Sequence, residues 1–157
     1  MTVVADTSPV LNLAAIRRLE LLGVLSERTI IPPAVARELR DSGFEPAEAQ
    51  GLVVQQIGNG KAVNRLLRRL DIGESEAIVL AIEQRADFLL IDERRGRRIA
   101  AGFGLRVLGL LGLLAAAKRL GVVSDCKSVL DQLISSGFWI GEDLYKKFLH
   151  EMDEANC

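Results

Sequence analysis

The sequence predicts an α/β fold, a three-layer α/β/α sandwich around a central, mainly parallel sheet of four to five strands. Three observations carry this expectation. Short, continuously apolar runs such as Val3–Ala5 and Phe88–Ile91 read as strands buried on both faces. The longer stretches between them carry the three-to-four-residue apolar spacing of helices. The two kinds alternate along the chain, the pattern of parallel strands joined by helical crossovers.

Taken in order, Val3-Val4-Ala5 is the first strand, broken by Asp6-Thr7-Ser8-Pro9. Ser8 suits a helix N-cap and Pro9 the first helical turn. This first helix is expected to run through Leu13, Ile16, Leu19 and Leu22 and to stop at Gly23. Thr29-Ile30-Ile31 is a second strand, and Pro32-Pro33 opens a helix carrying Val35, Glu38 and Leu39. A third short strand is expected between Leu52 and Ile57, bounded by Gly51 and Gly58. Lys61 to Leu70 reads as an amphipathic helix, with Val63, Leu66, Leu67 and Leu70 on one face and Lys61, Arg65, Arg68 and Arg69 on the other. Gly73 starts the next helix, from about Glu74 to Arg85. The Phe88–Ile91 strand then runs into Asp92, a basic helix follows, and a further strand lies near Leu105 to Leu108. Three helices close the chain: Gly112 to Leu120, Asp125 to Ser135 and Glu142 to Met152.

At 157 residues the chain fits a single domain, residues 1–157, long enough to bury a sizeable core. Its 49% hydrophobic and 26% charged residues exclude disorder, and with only 4% aromatics the core must be aliphatic. The net charge of -1 conceals acidic and basic stretches that are segregated along the sequence. Cys126 and Cys157 form no metal-ligand spacing, which favours a reduced, cytoplasmic chain over a disulfide. The start, MTVVADTSP, lacks the basic region of a signal peptide. The apolar stretch from Val107 to Ala117 falls short of the ~20 residues needed to cross a bilayer, so it reads as core. No internal repeat or linker is visible.

In an open parallel sheet, ligands bind beyond the carboxyl ends of the strands. Asp6 follows the first strand and Asp92 follows Ile91, so both belong to that edge. Glu38 borders the apolar face of its helix beside Leu39, and Glu76 lies in the first turn of its own, followed by Ala77-Ile78. Four acids from four elements could thus converge. Crowded carboxylates raise one another's pKa values unless a cation neutralises them. Hard oxygen ligands, with one histidine in the whole chain, point to Mg²⁺ or Mn²⁺. Such ions activate water and stabilise the charge that develops on a phosphodiester during in-line attack. Each acid alone is equally a turn former or a dipole partner; the set and its order carry the case.

In that order the chain resembles the PIN-domain nucleases, particularly the toxin-like branch related to VapC. The matching segments are Asp6-Thr7-Ser8-Pro9, Pro33-Ala34-Val35-Ala36-Arg37-Glu38-Leu39, Gly73-Glu74-Ser75-Glu76-Ala77-Ile78, and Leu90-Ile91-Asp92-Glu93-Arg94-Arg95-Gly96-Arg97. The likeness extends through Gly109-Leu110-Leu111-Gly112 and Gly137-Phe138-Trp139-Ile140. The resemblance implies metal-binding, catalytic acids at Asp6, Glu38, Glu76 and Asp92, and Mg²⁺- or Mn²⁺-dependent endoribonuclease cleavage. It also implies a homodimer and, for many members, a toxin neutralised by an antitoxin protein. Glu74 rivals Glu76 for the third position, Glu93 stands ready to assist Asp92, and Ser8 either orients a ligand or caps a helix. Leu110 stands where related chains often carry Thr.

RNA is held mostly through its phosphates, by Lys and Arg. Arg94, Arg95, Arg97 and Arg98 follow directly on Asp92 and serve either as RNA contacts or as a solvated face. The Lys61–Arg69 face reads as solvated. Neither patch interleaves aromatics, so base stacking of the sheet-platform type is not expected. Trp139 reads as core, with the pairing of two subunits as the alternative, and His150 as a surface residue. The glycines at 102, 104, 109 and 112 form no phosphate loop. A PIN-fold module that binds RNA or protein without cutting is the competing function. A phosphoacceptor domain fits poorly, because no second Asp follows Asp6 by two residues and no Lys stands at a strand end.

Overall fold

The computed structural model describes residues 1–154. Five strands form one parallel sheet: β1 (Val3–Ala5), β2 (Thr29–Ile31), β3 (Leu52–Val54), β4 (Phe88–Leu90) and β5 (Val107–Leu108), in the order β3-β2-β1-β4-β5. Helix α1 (Thr7–Ala15) follows β1, α2 (Pro33–Asp41) follows β2, and α3 (Gly60–Leu66) and α4 (Ile72–Glu83) link β3 to β4. Helix α5 (Arg94–Gly102) joins β4 to β5. The chain ends in α6 (Leu110–Arg119), α7 (Cys126–Ser135) and α8 (Glu142–Glu151).

Parallel pairing makes β1 the centre of the sheet. Its register sets Val4 opposite Ile30 of β2 on one side and Leu89 of β4 on the other. All three β1 residues are buried, and their side chains alternate between two cores. Val3 and Ala5 join Leu90 and the apolar faces of α1, α2, α6, α7 and α8. Val4 joins Leu89, Ile91 and the faces of α3, α4 and α5. This is the expected three-layer sandwich. From β1 the chain builds outward to β2 and β3, then returns across the sheet to lay β4 on β1's other side. The crevice beyond the ends of β1 and β4 is therefore the topological switch point.

Several boundaries depart from the periodicity. The first helix ends at Ala15, because Arg17 takes a left-handed φ of 57° and the Arg18 amide closes back on the Leu13 carbonyl at 2.9 Å. Leu19–Val24 forms a separate short 3₁₀ helix that still buries Leu21 and Leu22, so the apolar spacing continued across a break that no glycine marked. Helix α3 stops at Leu66; Leu70 is buried beyond its end, while Leu67, expected on the core face, is 41% exposed. Helix α4 starts at Ile72, because the Asp71 carboxylate accepts the Glu74 amide at 2.8 Å as an N-cap. Gly73 thus lies inside the first turn. Helix α6 starts two residues before the expected Gly112. Cys126 is a free, buried thiol, pushed up to about 11 chiefly by burial. Cys157 lies outside the described residues.

Leu89 is fully buried on β4 and touches the second core only. Leu89→Ala is expected to lower unfolding stability by about 2–5 kcal/mol in chemical denaturation, the usual cost of a buried Leu truncated to Ala. A loss under ~1 kcal/mol would mean that the second core is loosely packed.

Candidate active site

The site forms at the switch point because β1 and β4 both end there. Asp6 leaves β1 directly, and its amide donates to the Leu90 carbonyl at 2.9 Å, which fixes the exit of one strand against the other. Asp6 occupies the N-cap position of α1, though its side chain makes no capping bond. Its carboxyl is buried, only 6% of the residue being exposed. Asp92 follows β4 by two residues. Its Oδ1 accepts the Leu110 amide at the start of α6 at 3.0 Å, while Oδ2 is buried without a hydrogen-bond partner.

Helices α2 and α4, which pack together, bring further acids. Glu38 of α2 accepts a hydrogen bond from the Thr7 hydroxyl. Glu74 in the first turn of α4 is buried, and Asp71 caps that same turn. Three glycines give these carboxylates room. A Cβ on Gly73 would lie 2.6 Å from Glu38 Oε2, and one on Gly109 would lie 2.7 Å from Asp92 Oδ1 and from Arg97 Nη1. A Cβ on Gly96 would stand 3.1 Å from Glu74 Oε2 and 2.7 Å from Ile91 Cδ1.

The electrostatic consequence is large. Burial raises Asp6 to about 7; the charges of Asp71, Glu38 and Asp92 push the same way, and the Thr7 amide partly opposes them. Burial likewise raises Glu74 to about 8, assisted by the charge and hydrogen bond of Asp71 and the charges of Asp6 and Glu93. Asp92 is raised by burial against the pull of the Leu110 amide and the Arg97 guanidinium. These groups sense one another as a cluster of like charge.

Of the four acids named from the sequence, the structure brings Asp6, Glu38 and Asp92 into this neighbourhood. Glu76 stands apart. Its Oε1 accepts the Ala34 amide at 2.9 Å and its Oε2 lies 4.0 Å from Arg37, so it anchors the N-terminal turn of α2. Two residues along a helix turn the side chain by roughly 200°, and α4 is phased so that Glu74 faces Asp6. Asp71 escaped the sequence reading. Its signal is Asp71-Ile72-Gly73-Glu74, the spacing of a capping box, which marks a helix start but not a site. Ser8 is exposed on the second residue of α1, and Glu93 is exposed at the N-cap position of α5.

Two clefts flank the acids. One of about 950 Å³ is lined by Ser8, Asn12, Asp92, Arg94, Arg97 and the segment around Trp139. The other, about 320 Å³, is lined by Arg69, Asp71, Glu74, Glu93 and Arg95. Arg98 is exposed and lines neither. The Lys61–Arg69 face is solvated as expected, apart from Arg69 at the rim of the smaller cleft.

The chemistry of the donor set fits a hard divalent cation: carboxyl oxygens alone, with Asp6 and Glu74 raised by burial and neighbouring negative charge that a cation would offset, and one Asp92 oxygen left unpartnered. Among the described residues no group of three acid, histidine or cysteine side chains is already disposed to hold a metal ion.

A parallel α/β/α sandwich with buried acids where its two central strands end defines the class: an open-sheet protein whose site lies at the switch point. The chain belongs to the PIN-domain family; DUF3368, a PIN domain, matches residues 2–154. Proteins of this family are typically metal-dependent nucleases that use divalent ions and act on nucleic acid. Among solved structures, the PilT N-terminus domain protein SSO1118 from the hyperthermophilic archaeon Sulfolobus solfataricus P2 shares the fold, with a TM-score of 0.52 and 19% identity over 90% of this chain and 98% of that one. No curated protein matches the sequence. No helix among the described residues is long and apolar enough to cross a membrane.

The raised carboxyls have a measurable linkage. In the unfolded chain Asp6 and Glu74 ionise near 3.8 and 4.5; in the folded, metal-free chain they do so near 7 and 8. The folded state holds more protons between these limits, so stability falls as pH rises through the window. In EDTA, the melting temperature is expected to drop between pH 5.5 and 8.5, and added Mg²⁺ or Mn²⁺ to restore more of it at the upper end. A flat profile would show that the cluster is solvated.

Proposed function

We propose that this PIN domain is a Mg²⁺- or Mn²⁺-dependent endoribonuclease that hydrolyses RNA phosphodiester bonds. The observation that carries the reading is the convergence of buried Asp6 and Glu74 with Asp92, whose buried Oδ2 is unpartnered, at the strand switch of a nuclease fold. The likeness to the VapC branch supports a cytoplasmic toxin, working as a homodimer and held in check by an antitoxin protein.

In this reading Asp6, Glu74 and Asp92 hold the ion, with Asp71 and Glu38 beside them. The bound ion supplies charge stabilisation at the phosphodiester and activation of the attacking water. The chain's own groups arrange the rest. The Leu110 amide fixes Asp92 Oδ1 and leaves Oδ2 available. Any residue except proline supplies that amide, and the Leu110 side chain is wholly buried, so the departure from Thr leaves the contact intact. The Thr7 hydroxyl orients Glu38. Arg94 and Arg97 line the larger cleft and Arg95 the smaller, where they can bind substrate phosphates on either side of the acids.

The competing reading is a PIN module that binds RNA or protein without cutting. A metal-titrated cleavage assay on single-stranded and structured RNA decides between the two. Asp6→Asn, Glu74→Gln and Asp92→Asn are each expected to reduce cleavage by at least ~100-fold, the upper end of what losing even an outer-shell partner of a metal ligand costs. Glu76→Ala is expected to retain cleavage and lose about 1 kcal/mol of stability, as a missing helix N-terminal partner does. Wild-type RNA binding with no metal-dependent cleavage would establish the binding module.

Because cation binding must displace protons from Asp6 and Glu74, Mn²⁺ affinity is expected to strengthen severalfold per unit between pH 6 and pH 8. Calorimetry in two buffers of different ionisation enthalpy reads the released protons directly. Affinity independent of pH would place the ion elsewhere.

A further inference from the structure

The larger cleft ends in a feature that metal chemistry leaves unused. Trp139 is 85% exposed, the most exposed large apolar side chain in the described chain, and the only tryptophan in the sequence. Its placement is built. Gly137, with φ of 111°, turns the chain away from α7, and Phe138 packs against the first core. Trp139 then projects from the segment, and its Cη2 lies 3.9 Å from where a Gly141 Cβ would be. The indole forms a wall of the same cleft that contains Ser8, Asn12, Asp92, Glu93, Arg94 and Arg97.

A flat aromatic surface, two guanidinium groups and two small polar side chains in one open trough, bordered by the acid cluster, match the parts of a single-stranded nucleic acid: base, phosphates and ribose hydroxyls. Stacking needs no particular base, because every base has a π-face. Self-association through the same surface fits less well. It would bury Arg94, Arg97 and Asp92 at the centre of an interface, where charge is normally depleted and desolvation is costly.

We infer that this cleft is the RNA track leading away from the acid cluster, with Trp139 stacking one base while Arg94 and Arg97 hold the phosphates between that base and the cleavage point. The position of the cleavage point rests on the nuclease reading above; the stacking contact does not.

The test uses the Asp6→Asn protein, so that substrate survives, and short single-stranded oligoribonucleotides. Because Trp139 is the sole tryptophan, saturable quenching of intrinsic fluorescence reports directly on its ring. Trp139→Ala, read by anisotropy of a labelled oligomer, is expected to bind about tenfold more weakly, and Trp139→Phe to recover much of that loss. Replacing one nucleotide by an abasic site should cost the wild-type ring a similar factor and cost the alanine variant almost nothing. A merely structural role for Trp139 would not produce that dependence on the base. Unchanged melting temperatures check that the exposed substitution leaves the fold intact.

RNA bound without quenching and with unaltered affinity in Trp139→Ala overturns the inference. So does a dimer that Trp139→Ala converts to monomer without affecting RNA affinity, which would assign the surface to a second copy of the chain. If quenching and the abasic effect hold while the protein with Asp6 intact cleaves nothing in any metal, the nuclease reading fails and the track stands. If metal-dependent cleavage is robust and kcat/KM is unchanged by Trp139→Ala, the reverse is true.

Discussion

Neighbouring parallel strands that end in acids create the tension around which this molecule is organised. β1 and β4 must pair closely to form the sheet's centre, and that pairing draws Asp6 and Asp92 into a space walled by helices on both faces. An ionised carboxylate there is poorly solvated and repels its neighbours. The fold provides some relief: the Leu110 amide and Arg97 near Asp92, and the Thr7 hydroxyl on Glu38. It leaves Asp92 Oδ2 with nothing. Removing Cβ atoms at Gly73, Gly96 and Gly109 brings the acids closer to backbone and to one another. A chain selected only for stability would use bulkier, neutral residues at these positions.

Helix α4 shows how one turn separates structure from chemistry. Glu74 and Glu76 are almost adjacent in sequence yet point to different neighbours. Glu76 satisfies the N-terminal turn of α2 and so couples the two helices that carry Glu38 and Glu74. Glu74 turns inward to the acids. The rotation between them is fixed by where the helix begins, which Asp71 sets by capping the Glu74 amide. The cap residue thus performs two tasks, because the carboxylate that starts the helix also charges the site.

These relations explain which parts of the site could be read without coordinates. The sheet, its parallel sense and the strand-end position of Asp6 and Asp92 follow from short apolar runs that each stop at an acid. Glu38 follows from its place beside Leu39 on an amphipathic helix. Which of Glu74 and Glu76 faces Asp6 is a matter of helix phase, and phase depends on a start that Gly73 seemed to mark and Asp71 actually sets. The break after α1 was hidden for a related reason: Arg17 adopts a left-handed conformation usual for glycine, while the apolar spacing runs on undisturbed. Trp139 was misplaced because an apolar triplet suggests core. Within Phe138-Trp139-Ile140 only the middle residue is turned fully outward, a consequence of how Gly137 redirects the chain.

The arginines acquire meaning only from this arrangement. Along the sequence Arg94, Arg95, Arg97 and Arg98 form one undifferentiated run; around α5 they divide between two clefts and open solvent. An acid cluster by itself repels a polyanion, so a strand of RNA can approach only if cationic groups border the acids on the path it takes. Arg94 and Arg97 on one side and Arg69 and Arg95 on the other supply that border. The aromatic absent from the basic helix is delivered to its cleft by a segment from beyond α7. An exposed aromatic face and guanidinium groups therefore meet in space without being interleaved in sequence, and a search for the two together along the chain could only miss them.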